Sequence, residues 1–125
     1  MHDTTRVDPS MAGAAGGHAL LTTTADVTRF FRHLRSGELF EHRSTLDAMF
    51  AFLPDPKNRR DGYGLGVMKM ESIDGPVIGH LGVTTGYQTF MLYIPATDRY
   101  VSGFINGTGD LDALLWPVIS RAAHP

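Results

Sequence analysis

Between residues 63 and 106 the chain has four extended stretches, 63–71, 76–82, 87–94 and 99–106, joined by links that are almost all turn. The links are Ser72-Ile73-Asp74-Gly75, Val83-Thr84-Thr85-Gly86 and Pro95-Ala96-Thr97-Asp98. A parallel neighbour needs a crossover of a dozen or more residues, so consecutive strands tied this tightly must run antiparallel. Whatever else the chain contains has to pack on that sheet.

What precedes the sheet has a helical period. Val27, Phe30, Phe31 and Leu34 fall at i, i+3, i+4 and i+7 behind Thr23 and Asp26, a capping-box arrangement, and Ser36-Gly37 supplies a stop. A second short helix is expected behind Ser44 and Asp47, with Leu46, Met49, Phe50 and Leu53 as its stripe and Pro54 as its end. Residues 54–62 hold two prolines and a charge cluster and read as a solvated loop. After the sheet, Asp110 caps a last helix bearing Leu111, Leu114, Leu115, Val118 and Ala122, which Pro117 should kink or delay. Residues 1–19 are small, polar and glycine-rich and read as loop. The expectation is therefore one α+β domain over 1–125: loop 1–19, a helical part 20–54, an antiparallel β-sheet over 63–106 with flanking helices, and a C-terminal helix over 110–123.

A composition of 42% hydrophobic and 19% charged residues is that of an ordinary globular chain. Eleven basic against thirteen acidic residues, net charge −2, leave no electrostatic footprint for nucleic acid or an acidic membrane surface, so neither partner is expected. Without cysteine there is neither a disulfide framework nor a thiolate nucleophile. No stretch of about 18 apolar residues occurs, and Met1 to Arg6 has no apolar signal-peptide region. Compartment is left open.

Several motifs fail their context tests. No pair among His2, His18, His33, His42, His80 and His124 has the i, i+4 spacing of a helical zinc site. Gly62, Gly64 and Gly66 surround a strand instead of opening a helix, which a dinucleotide loop requires. No metal or organic cofactor is expected. Gly79-His80-Leu81-Gly82-Val83-Thr84-Thr85-Gly86-Tyr87 differs, because it sets one imidazole at a strand edge among glycines that allow close backbone approach. Local chemistry leaves two readings open: a hairpin histidine, or a ligand site.

The longer pattern resembles a known superfamily. Residues 14–30, AAGGHALLTTTADVTRF, resemble the "aGGl-STa-DlarF" segment of the serine β-lactamase-like hydrolases, which include class C β-lactamases, D-Ala-D-Ala carboxypeptidases and related esterases. Ser36-Gly37-Glu38-Leu39 is similar to their "sGel", Tyr63-Gly64-Leu65-Gly66-Val67 to "YGLGw", and Gly79 to Tyr87 to "GHtGgtpGy". Tyr93-Ile94-Pro95 and residues 101–106 resemble the "lyiP…vvvltN" hairpin.

The resemblance implies a partial β-lactamase/transpeptidase-like fold and, for the intact enzyme, hydrolysis of a small-molecule amide or ester through a seryl acyl-enzyme. It places His80 where the family's Lys or His orients substrate and tunes protonation, at the rim of a concave site, and makes the Val83 N–H one of two oxyanion donors. Gly82, Leu81 and Thr84 would line the substrate site, although Leu81 replaces the family's hydroxyl or glycine and offers no hydrogen bond to a carboxylate. The family's nucleophile lies in Ser-x-x-Lys; here Ser10, Ser36, Ser44, Ser72, Ser102 and Ser120 all have another residue three positions on, and no Tyr-x-Asn occurs. In the family those motifs precede the Gly-Gly segment. The chain is thus expected to be a C-terminal segment, inactive alone, with self-association through the edge of strand 99–106 and the last helix. The alternative is a non-catalytic binding or scaffold domain derived from the same fold. Lactamase, peptidase and esterase are not separated by these motifs.

Overall fold

The computed structural model describes residues 22–55, 60–84, 86–107 and 109–124, without the side chains of Asp55, Arg60 and Thr84. The expected loop over 1–19, and residues 14–21 of the Gly-Gly segment with it, lies outside the described residues. Three helices, α1 (Thr24–Ser36), α2 (Arg43–Met49) and α3 (Leu111–Ala123), accompany six strands. These are β1 (Leu53–Asp55), β2 (Arg60–Tyr63), β3 (Met68–Ser72), β4 (Gly75–Thr84), β5 (Tyr87–Ile94) and β6 (Arg99–Asn106). They form one antiparallel sheet in simple chain order, β1 to β6, with a 3-10 turn, Pro95–Thr97, between β5 and β6. The α+β expectation holds, with two more strands than the period alone suggests.

Both extra strands come from backbone contacts. Residues 63–71, expected as one strand, break because the Gly64 N–H turns back to the Val67 carbonyl at 2.7 Å and Gly66 takes a φ of 77°. Tyr63 consequently pairs with Met68 across a new hairpin. The stretch after α2 becomes β1 instead of loop. Pro54 is tolerated there because β1 is an edge strand, where a missing N–H breaks no ladder bond on the outer side.

The helix ends are made by specific groups. At α1 the Thr23 hydroxyl accepts from the Asp26 N–H at 3.2 Å and donates to the Asp26 carboxylate at 2.9 Å, the expected cap. Gly37, in the left-handed region at φ 88°, closes the other end. For α2 the expectation needs correction. Its N-cap is His42, with no side-chain cap bond; Ser44 lies inside the helix, and Asp47 takes Arg43 as partner at 3.2 Å. Leu53 leaves that stripe and is 71% exposed in β1. Asp110 does cap α3, accepting from the Asp112 and Ala113 N–H groups, and the helix starts without delay and runs through Pro117. Its buried seam is Leu111, Leu115, Ile119 and Ala122; Leu114 is turned out.

The sheet divides the interior in two. On one face Met70, Val77, Phe90, Leu92 and Ile94 meet the seam of α3. On the other, Tyr93 joins Phe31 and Leu34 of α1, with Ile78, Met91 and Tyr100 packed around them. Residues alternate between faces along a strand, so β4 sends Val77 and Leu81 toward α3 and Ile78 toward α1, the face His80 shares with Met91 opposite it.

Candidate active site

Strand β4 is a two-part strand. Its first half, Gly75 to Gly79, pairs with β3, whereas β5 pairs with it from Ile78 to Thr84. Beyond Gly79, then, one edge of β4 has no strand beside it among the described residues. Hydrogen-bonding direction alternates along an antiparallel pair. Counting from the closing pairs Ser72↔Gly75 and Thr84↔Tyr87, the N–H groups of Leu81 and Val83 face away from β5, across that open edge.

Glycines make this geometry possible. A Cβ on Gly79 would stand 1.9 Å from the Met91 carbonyl oxygen, backbone that cannot swing aside, so only glycine lets β5 approach so closely next to His80. A Cβ on Gly82 would meet the Thr89 hydroxyl at 2.6 Å. The surface beside His80 is kept low by the missing side chain.

His80 is half-buried and lies in neither apolar cluster. Its Nδ1 is 2.5 Å from the Leu81 carbonyl oxygen and its Nε2 is 3.0 Å from the Tyr63 hydroxyl. The Tyr63 ring stands edge-on to the imidazole, with centroids 6.1 Å apart. Val83 is exposed at the end of the same edge. The side chain of Leu81 points to the opposite face and packs against the α3 cluster, so only its backbone belongs to the edge. Alternation along the strand sends that side chain away from His80. Thr84 ends β4 opposite Tyr87; its side chain and Thr85 lie outside the described residues.

Two grooves, of about 540 and 320 Å³, flank α3 instead. The first runs along β6 past Arg99, Val101, Val118 and Arg121; the second lies between the β3–β4 hairpin and Trp116. Neither is lined by His80, which stands beside the open edge of β4.

A polar cluster not foreseen in the sequence fastens α1 to the far end of β5 and β6. The Arg35 guanidinium lies 3.7 Å from the Tyr93 ring centroid and donates through Nε to the Tyr100 hydroxyl at 2.5 Å. It also donates to the Asp98 carboxylate at 3.1 Å, and Tyr93 donates to the same oxygen at 3.0 Å. Burial pushes the Tyr93 phenol above its ordinary pKa, and its hydrogen bond to Asp98 adds to the shift. Burial works to lower the Arg35 pKa, but the Tyr100 hydrogen bond and the surrounding negative potential outweigh it and hold the guanidinium above its usual value. These groups serve the packing of α1 and lie away from the open edge. Tyr63 is the site residue that sequence reasoning passed over: Tyr63-Gly64-Leu65-Gly66 marked a strand, and nothing in its spacing pointed to His80.

Comparison with known proteins bears on the family and the fold. The family model described as Beta-lactamase matches residues 2–124. A D-stereospecific amidohydrolase from Streptomyces sp. is 32% identical, with a TM-score of 0.69 over 84% of this chain and 31% of that one. SurE with D-Leu bound is 26% identical, with a TM-score of 0.56 over 81% of this chain and 25% of that one. A D-amino acid amidase from Ochrobactrum anthropi SV3, complexed with D-phenylalanine, has a TM-score of 0.64 over 80% of this chain and 35% of that one; at 22% identity it bears on the fold alone. The chain therefore spans about a quarter to a third of the length of these solved structures.

Proposed function

Since the chain belongs to the Beta-lactamase family, we propose that its His80 edge is one wall of the cleft of a serine hydrolase that cleaves an amide or ester through a seryl acyl-enzyme. The open half of β4 carries this reading. A backbone N–H fixed in a sheet and aimed across a strandless edge, as the register aims that of Val83, stabilises a tetrahedral oxyanion without reorganising. Gly82 lets a substrate carbonyl approach, and His80 orients it. No serine in these 125 residues has a lysine three positions on, so the acylating serine must come from outside them and the chain alone forms no acyl-enzyme. The 32%-identical Streptomyces protein, a D-stereospecific amidohydrolase, makes D-configured amides the substrate class to try first.

The test is to pair the chain with polypeptide supplying a Ser-x-x-Lys helix and to assay D-amino acid anilides. Val83→Pro deletes the edge-facing N–H where no ladder bond is lost. It should lower kcat by about 10²–10³, the usual effect of losing one oxyanion donor. Full activity in that variant would remove Val83 from the site, and covalent labelling of the chain alone by a fluorophosphonate at an enzyme-like rate would refute the division of labour.

We propose in addition that the outer edge of β6 pairs with a second copy of the chain. Beside it Val101 and Val118 line a groove with Arg99 and Arg121. Antiparallel pairing about a two-fold axis would bring these arginines toward Asp110 and Asp112 of the other copy. Light scattering through a dilution series should show a dimer; a monomer at about 10 μM, weaker than specific interfaces of this kind, would overturn it.

A further inference from the structure

From the contacts of His80 we infer that Tyr63 is a positioning residue for it, holding the neutral imidazole as the Nδ1–H tautomer with its lone pair at Nε2. The inference rests on reading His80 as a site residue. A carbonyl oxygen only accepts, so the 2.5 Å contact to the Leu81 oxygen requires the proton on Nδ1. In the neutral ring Nε2 is then the acceptor, and the hydroxyl 3.0 Å away, that of Tyr63, donates to it. Both nitrogens are held by protein groups on opposite sides of the ring, so it can neither flip nor exchange tautomers without breaking a hydrogen bond.

The placement of Tyr63 is itself rigid. It ends β2, paired to Leu53 on one side and Met68 on the other. The next residue, Gly64, lies so close to the end of α2 that a Cβ would stand 2.2 Å from the Met49 carbonyl oxygen, which accepts from the Leu65 N–H at 3.0 Å. The hydroxyl that meets His80 is therefore carried by a strand end clamped to α2. A ligand hydrogen-bonding at Nε2 has to displace the Tyr63 hydroxyl from it.

The experiment is imidazole ¹⁵N NMR on the chain, at a pH where His80 is neutral. Wild type should give a pyrrole-like Nδ1 and a pyridine-like Nε2. Tyr63→Phe should shift the tautomer ratio toward Nε2–H by about five-fold, the effect of one ordinary hydrogen bond, while the backbone amides of β4 stay in place. A wild-type ring that is mainly Nε2–H, or a ratio unchanged in Tyr63→Phe, would overturn the inference and leave the cleft-wall reading untouched. Conversely, an active assembly indifferent to His80→Ala would refute that reading and leave the tautomer result standing. Should Tyr63→Phe fail to fold, the Tyr63 Cζ shift in His80→Ala supplies the readout: displacement supports the pair and constancy overturns it.

Discussion

The two faces of the sheet hold their helices by different physics. Between the sheet and α3 lie nine buried apolar residues, five from the strands and four from the helix, with Leu92 and Leu115 at 0% exposure. Against α1, among the described residues, the buried cluster is Phe31, Leu34 and Tyr93, and directional contacts supplement it. The Thr28 hydroxyl lies 2.7 Å from that of Ser102, which also donates to the Thr24 carbonyl at 2.9 Å, and Arg35 ties Tyr93, Tyr100 and Asp98 together. Hydrophobic burial is strong but tolerant of angle; hydrogen bonds are weaker and geometrically exacting. His80 lies on the second face. The α3 side thus keeps the sheet folded, and the α1 side fixes where groups on it point.

Truncation of the apolar seam should cost most. Leu115→Ala removes a fully buried side chain from the centre of α3 and should destabilise by about 2–5 kcal/mol. Urea unfolding would show it as a lower midpoint at unchanged slope. A loss below about 1 kcal/mol would mean that the α3 face is not the main stabilising one.

Gly79→Ala tests the junction of the two faces. Its Cβ must push the Met91 carbonyl away, at about 1–3 kcal/mol by analogy with overpacking. The damage should be local. Amide exchange should quicken at His80 and Met91, the pair beside the clash, before it quickens in α3. Uniform exchange would place both faces in one cooperative unit.

How far these features can be read in the residues follows the same division. Periodicity reports burial, so α1, α3 and strands β4 to β6 were legible, as were the caps made by Thr23 and Asp110, where a side chain acts within its own segment. The break at 64–67 was not, since it depends on the Met49 carbonyl lying against Gly64. The Ser44 cap failed as well: the helix begins one residue earlier, at Arg43, behind His42. At the site, the resemblance pointed to His80 and Val83 through a run of neighbouring residues. Tyr63 and the Arg35 cluster join residues 17 and 65 positions apart, and no local pattern records such pairs.

Arg35→Lys probes the directional face at smaller scale. Lysine keeps the charge but loses the planar stack on Tyr93 and the Nε bond to Tyr100. A loss of about 0.5–1.5 kcal/mol is expected, read by thermal melting. The Tyr93 phenol should remain above its ordinary pKa in the variant, because burial is the first cause of that shift. An ultraviolet titration in which Tyr93 returns to the usual tyrosine range would assign the shift to Arg35's packing instead.

The smallest effect concerns acid, and it compares the ends of the two helices. Beyond α1, the Glu38 carboxylate accepts from the Ser36 hydroxyl at 2.7 Å and lies 2.6 Å from His33 Nδ1; these contacts, Ser36 first, hold its pKa below the ordinary value. Beyond α3, Asp74 is held low by His124 at 2.9 Å and then by Ser120. A carboxylate whose pKa is depressed by folding is protonated first in the unfolded chain. Its contribution is full above the unfolded value, near pH 4, and disappears as pH falls through the folded value. Both groups therefore favour the fold at neutral pH and cease to do so in acid. Glu38→Gln keeps the side-chain shape and removes the ionisation. Wild type should melt higher than this variant at about pH 5.5, and the gap should close as pH falls through the folded-state pKa of the carboxylate. Asp74→Asn should behave in the same way at the other helix. A gap that stays constant across that range would mean the contacts act through shape alone, and a gap that widens in acid would reverse the sign of the linkage.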